Sequence, residues 1–135
     1  MVELHGWALI RENFTVDNED IHLEQIVNNL TQEIEKFGMD ETLLRISFSN
    51  GEATLTVTKF TNHFSDDIKR IVDLFKRIAI VAPGSYGLLY LRNDEDTAGF
   101  CNAFQVFVLA KGTLKLQKDP FLSPYIPTVE DQENS

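Results

Sequence analysis

Residues 4–11 alternate in character with a period of two, which is the period of a β-strand. One face of this predicted strand is small or aliphatic and carries Leu4, Gly6, Ala8 and Ile10. The other face carries His5, Trp7, Leu9 and Arg11. Apolar residues then recur at helical spacing from Leu23 to Phe37 and stop at Gly38, after residues 17–20, which suit a helix start. The pattern predicts a first strand followed by an amphipathic helix.

A hairpin and a second helix are predicted in the middle of the chain. Two alternating segments, 44–49 and 53–58, flank Asn50-Gly51, the strongest short-range signal for a tight hairpin turn. Ser65-Asp66-Asp67 then resembles a helix N-terminal cap. The apolar residues that follow at helical spacing, and are predicted to face inward, are Ile68, Ile71, Val72, Phe75, Ile78 and Ala79. Pro83-Gly84 ends this helix.

The last part of the chain is predicted to contain two central strands and a strap. Residues 88–91 and 103–109 are apolar on both faces, which is typical of strands covered from both sides. A polar, largely acidic loop joins them. After Gly112, the chain carries Pro120, Pro124 and Pro127 among apolar residues. Because prolines prevent regular pairing, this segment is predicted to lie against the sheet as an extended apolar strap.

These elements predict an α+β fold with the order βαββαββ and a C-terminal strap. Its sheet is mainly antiparallel, and both helices pack on one face. The first six elements match the βαββαβ pattern of ferredoxin-like folds, which host many functions and therefore assign none. We expect residues 1–127 to form a single domain and residues 128–135 to be a disordered acidic tail. The face that carries Trp7 is then either covered by the strap or used for binding.

Composition and charge exclude several classes of protein. A single cysteine among 135 residues leaves no disulfide framework. The chain shows no signal-peptide pattern and no apolar segment of membrane-spanning length, so we expect a cytoplasmic protein with no membrane partner. The net charge of −9 disfavours direct binding of nucleic acid, because affinity for phosphates comes from Lys and Arg. A basic protein partner is favoured instead.

Candidate chemistry is sparse along the chain. His5, His22 and His63 have no metal-ligand spacing with one another or with Cys101. Asp94-Glu95-Asp96 lacks the alternate spacing and the glycine of a calcium-binding loop. The Gly-containing segment 82–87 follows a helix and precedes a strand, the reverse of a phosphate-binding loop. We therefore expect no catalytic residue, no metal and no cofactor.

Three stretches resemble a known family: His5-Gly6-Trp7 with Ile10-Arg11-Glu12, the block from Ala82 to Arg92 running into Asp94-Glu95-Asp96, and Phe121-Leu122-Ser123-Pro124 with Ile126-Pro127. Between approximately residues 4 and 129 the chain is similar to the Immunity protein 7 family of bacterial polymorphic toxin systems. The resemblance implies a non-enzymatic protein, made beside a secreted toxin, that neutralises the effector domain of that toxin.

This resemblance and the charge lead to one expected mechanism. The partner is the C-terminal domain of a cognate toxin, basic like a nuclease, whose active site is occluded by an acidic surface. The candidate contact residues are Asp94, Glu95, Asp96, Asp17, Glu19, Asp20, Trp7 and Arg11. We expect a monomer or a weak homo-oligomer. Two alternatives stay open: an adaptor or regulatory protein of a bacterial secretion or competition system, and a small enzyme, which would need a pocket with paired titratable groups.

Overall fold

Six strands and three helices form the part of the chain that the structure, a computed structural model, describes: residues 1–15, 21–38 and 43–133. In chain order they are β1 (Val2–Ile10), α1 (Leu23–Glu35), β2 (Leu44–Ser49), β3 (Glu52–Thr61), α2 (Asp66–Val81), β4 (Tyr86–Asn93), β5 (Gln105–Ala110), β6 (Thr113–Lys118) and α3 (Tyr125–Thr128). None of the helices in these residues is long and apolar enough to cross a membrane.

The strands form one antiparallel sheet in the order β2-β3-β1-β4-β5-β6. β1 lies inside the sheet and pairs along its whole length with β3 and along most of it with β4. The predicted α+β class with an antiparallel sheet is therefore confirmed. Asn50 and Gly51 form the turn between β2 and β3 with φ of 53° and 79°, the backbone that an Asn-Gly hairpin turn requires.

One face of the sheet carries the core, because the alternation of each strand sends its apolar residues toward α1 and α2. The fully buried large side chains on this face and on the two helices include Leu4, Ile10, Leu30, Leu55, Ile68, Ile71, Phe75, Ile78 and Leu89. The helical spacing predicted most of the inward positions of α2. It omitted Leu74, which is buried, and included Val72, which is only half-buried.

The predicted element order is wrong after Gly112, where the chain forms a further strand before any strap. β6 pairs with β5 along its whole length: Ala110 lies opposite Thr113 at one end, and Gln105 lies opposite Lys118 at the other. Lys111 and Gly112 have φ of 48° and 74°, so they make a second tight hairpin turn. The prolines begin only at Pro120, beyond the paired residues, and therefore do not prevent this pairing. The order also gains the short helix α3.

The segment 119–129, called the C-terminal clasp here, packs on the second face of the sheet. The Tyr125 ring lies 3.9 Å from the Arg92 guanidinium and 6.3 Å, between centroids, from the Phe104 ring. Phe104 in turn meets Tyr90 edge-on at 6.0 Å. The clasp and Phe104 thus cover the end of β4 near Arg92, and this is where β4 is buried on both faces.

Candidate binding surfaces

The loop between β4 and β5 has a fixed shape because its own side chains hold it. Asp96 accepts hydrogen bonds from the backbone N–H groups of Ala98 and Phe100, at 2.8 and 2.9 Å. The Asn93 side chain accepts one from the backbone N–H of Glu95, at 3.0 Å. Of the three candidate acids in this loop, Asp96 is therefore engaged in holding the backbone, whereas Asp94 and Glu95 contact groups outside the loop and stay partly exposed.

Asp94 and Glu95 lie in an exposed charged cluster at one end of the sheet. The Met1 amino group donates to Asp94 at 2.7 Å, and the His63 ring nitrogen lies 2.9 Å from a Glu95 oxygen. The hydrogen bond from this amine outweighs the small opposing effect of burial and holds the pKa of Asp94 below its ordinary value. The Asp94 and Glu95 side chains are 43% and 54% exposed, so both are accessible to a partner.

The other three candidate acids, Asp17, Glu19 and Asp20, lie outside the described residues. Two residues on either side of these acids are in contact. Glu12 accepts a hydrogen bond from the backbone N–H of His22 at 2.8 Å, and its other carboxylate oxygen lies 2.6 Å from the His22 ring. The backbone hydrogen bond and then the ring lower the pKa of Glu12. This contact ties the end of β1 to the start of α1.

Trp7 lies at the centre of the second face and is 41% exposed. Its ring meets the Tyr86 ring edge-on with centroids 6.0 Å apart. Of the two alternatives for the face of Trp7, cover by the strap is wrong, because the clasp packs at the other end of β4. Arg11 follows the strand on the same side, and its backbone N–H donates to Ser85 Oγ at 3.0 Å. Trp7 is therefore available to a partner.

The structure does not bring the described candidate residues into one site. Asp94 is bound to Met1 at one end of β1, and Arg11 lies beyond the other end. At about 3.3 Å of rise per residue, these two points are roughly 30 Å apart. The acidic loop and the surface around Trp7 are two separate surfaces of the molecule.

A buried ion pair that the sequence did not single out lies between these surfaces. Arg92 Nε donates to Glu3 Oε1 at 2.7 Å, and His5 lies 2.9 Å from the other Glu3 oxygen. Burial by itself would raise the pKa of Glu3, but the hydrogen bonds with His5 and Arg92, and then the charge of Arg92, lower it overall. The two charges face each other only through the β1–β4 register, Glu3 opposite Arg92, which no local pattern reveals.

Charged residues in the groove between α1 and α2 join the two helices. The groove has a volume of about 430 Å³. In it, Arg77 pairs with Glu33 at 2.9 Å, and the Arg70 guanidinium stacks 4.2 Å from the Phe37 ring. Arg70 also donates to the backbone carbonyl of Lys36 at 3.2 Å. Across the described ranges, no group of three or more His, Cys, Asp or Glu residues could hold a metal ion.

The family model of Immunity protein 7 matches residues 1–131, almost the whole chain. The chain belongs to the Immunity protein 7 family. The resemblance found in the sequence is therefore confirmed, and this immunity protein is part of a toxin system in which its partner is a cognate toxin. No curated protein matches the chain, and no solved structure does.

Proposed function

We propose that this immunity protein binds the C-terminal domain of its cognate toxin and blocks a basic active-site surface with the acidic loop at residues 94–96. It acts by binding alone and carries out no chemistry. The observation that carries the proposal is the pair Asp94 and Glu95, exposed on a loop of fixed shape in a molecule of net charge −9.

The fixed shape of the loop favours tight binding. Ordering a mobile loop on association costs free energy, and here Asp96 and Asn93 already hold the backbone in place. Two neighbouring carboxylates on such a loop can occupy positions that substrate phosphates take in a basic groove. A nuclease active site is the kind of surface that this arrangement fits.

Net charge of opposite sign favours fast capture of the toxin. Electrostatic steering raises association rates by about 10- to 1000-fold, and the effect falls with ionic strength. Fast capture matters for an inhibitor because free toxin must be bound before it acts. Asp17, Glu19 and Asp20 stay candidate contacts of the toxin, and so do Trp7 and Arg11.

The scaffold under this surface is proposed to be ferredoxin-like in its first six elements. Support comes from the spatial order β2-β3-β1-β4, with α1 between β1 and β2 and α2 between β3 and β4. β5, β6 and the clasp extend this unit. The acidic loop lies between β4 and β5, where the unit meets the extension.

The test compares two double variants with the same change in net charge. In D94N/E95Q the loop loses both partly exposed carboxylates, and in E24Q/E52Q two exposed acids are lost near the other end of the sheet. We expect D94N/E95Q to slow association with the toxin domain about tenfold at low salt, with the difference shrinking as salt rises. The control should change the rate by less than about threefold.

Stopped-flow association of the toxin domain with each variant measures this difference, and a nuclease assay measures loss of inhibition. Equal rates for the two double variants would contradict the acidic-loop mechanism. A wild-type protein that does not bind the toxin domain at all would favour the adaptor alternative.

A further inference from the structure

A single register row crosses the second face of the sheet through all six strands. Neighbouring strands pair the residues of this row directly, in the order Arg45, Thr56, Trp7, Leu88, Val108 and Lys115. Adjacent strands are about 4.8 Å apart, so the row is roughly 24 Å long. It has the only tryptophan of the chain near its centre and a basic residue at each edge.

The centre of this row is an exposed aromatic surface. Trp7 is 41% exposed and Tyr86, which packs edge-on against it, is 43% exposed. Thr56 beside Trp7 is exposed as well, and Leu88 is half-buried. Within the described part of the chain, both long helices pack on the opposite face and do not cover this surface. Its exposed aromatic residues are the kind that is enriched at the centre of protein interfaces.

The residues at the two ends of the row are positively charged, whereas the molecule as a whole is negatively charged. Arg45 on β2 and Lys115 on β6 are both exposed, and Arg11 follows β1 on the same side. The protein as a whole carries a net charge of −9. The row is therefore a local basic surface, about 20 Å along β1 from the acidic loop next to Met1.

The clasp shows how one segment of this chain packs on the same face of the sheet. Tyr125 stacks on the Arg92 guanidinium at 3.9 Å, and Phe104 packs against Tyr90. An aromatic side chain next to a cation thus holds an irregular segment against the end of β4. The Trp7 row lies on the same face, away from the clasp, and carries a tryptophan near its centre and a cation at each edge.

We propose that the Trp7 row docks an acidic segment of the cognate toxin domain. An apolar side chain of that segment packs against Trp7 and Tyr86, and its carboxylates meet Arg45 and Lys115. This inference rests on the proposed function and adds a second contact of opposite charge. Two surfaces of opposite sign, about 20 Å apart, fix the orientation of the toxin as well as its affinity.

A protein segment fits this row better than a nucleic acid. Affinity for nucleic acid depends on the number of phosphates that are neutralised, and Arg11, Arg45 and Lys115 supply few cations for a polyanion. A long polyanion would also meet the repulsion of the acidic loop. A short acidic segment on a basic toxin avoids that repulsion, because the remainder of the toxin is attracted to the loop.

The first experiment uses Trp7 as a unique probe. Because the chain has one tryptophan, protein labelled with 5-fluorotryptophan gives a single fluorine resonance, from the centre of the row. We expect this resonance to shift when the unlabelled toxin C-terminal domain saturates the protein, with saturation established by calorimetry. An unshifted resonance in a saturated complex would overturn the docking proposal and leave the proposed function intact. Absence of calorimetric binding would overturn the proposed function itself.

The second experiment reverses the charges at the two edges. We expect R45E/K115E to weaken binding of the toxin domain by about 10-fold or more. The matched control is K36E/K69E, which makes the same change in net charge at exposed lysines just after α1 and in α2, and should weaken binding by less than about threefold. Equal affinities for the two variants would overturn the proposal. A fluorine shift caused by a single-stranded oligonucleotide, or by raising the concentration of the protein alone, would assign the row to that occupant instead.

Discussion

Gly87 lies at a point of β4 where a side chain has no space. A Cβ atom there would overlap the Trp7 carbonyl oxygen and the Ala8 backbone on β1. The backbone of Gly87 is not in the left-handed region, so the requirement is for close approach between strands and not for a turn. Gly84 is similar, because a Cβ there would overlap the backbone of Asn13. The glycines of the segment 82–87 are therefore explained by packing, and no phosphate site is needed to explain them.

A Gly87→Ala substitution should lower the free energy of unfolding by about 1–3 kcal/mol, because β1 and β4 must move apart to admit the methyl group. Gly6→Ala is the control. Its Cβ would lie nearest the end of the Leu89 side chain and farther from the Leu88 carbonyl oxygen, so less movement of the backbone is needed and the loss should be smaller. Urea unfolding of both variants measures the difference. Equal losses would contradict the explanation that close approach of β1 and β4 requires glycine at position 87.

At the scale of elements, the sequence predicts correctly those elements whose signal lies in neighbouring residues. The turn at Asn50-Gly51 and the helix α2 depend on neighbouring residues, and both were predicted close to their observed bounds. β6 is not among the predicted elements, because the prolines from Pro120 onward suggest an extended strap for the whole segment after Gly112. The alternation of Leu114 and Leu116 with polar residues was the signal that could have found it.

The candidate surfaces depend on pairing between distant strands, which the sequence pattern does not contain. Trp7 was correctly placed on the face opposite the helices, but its alignment with Arg45 and Lys115 follows from the registers of the sheet. The Glu3–Arg92 pair has the same origin. A single sequence gives the alternation of each strand, and the neighbours across strands come only from the structure.

The clasp is an element whose attachment can be tested by itself. Tyr125→Ala removes the ring that stacks on Arg92 and contacts Phe104, and should lower the free energy of unfolding by about 1–3 kcal/mol. Hydrogen exchange should speed up at the Ile126 N–H, which Asn102 Oδ1 accepts at 2.9 Å. Tyr125→Phe keeps the ring and should behave like wild type. Exchange that is equally slow in the alanine variant would show that the clasp is held by other contacts.

At the scale of the molecule, three carboxylates with lowered pKa anchor the ends of the central strand β1. Glu3 binds Arg92 on β4, Asp94 binds the Met1 amine, and Glu12 binds His22 before α1. A group whose pKa is lower in the folded state stabilises the fold when ionised. That stabilisation is complete above the unfolded pKa and is lost as the pH falls through the folded pKa.

Acid should therefore weaken the fold as the pH falls from about 5, because the ordinary pKa of a glutamate such as Glu3 is 4.5. Glu3→Gln should cost about 1–3 kcal/mol at pH 7, since it leaves the buried Arg92 without its counter-charge. It should also make the decline of stability between pH 5 and pH 3 shallower than in wild type. Glu52→Gln, at an exposed acid at the start of β3, should change the stability at pH 7 by less than about 0.5 kcal/mol. Urea unfolding across this pH range measures both effects, and an unchanged pH dependence in Glu3→Gln would mean that carboxylates other than Glu3 govern the acid sensitivity of the molecule.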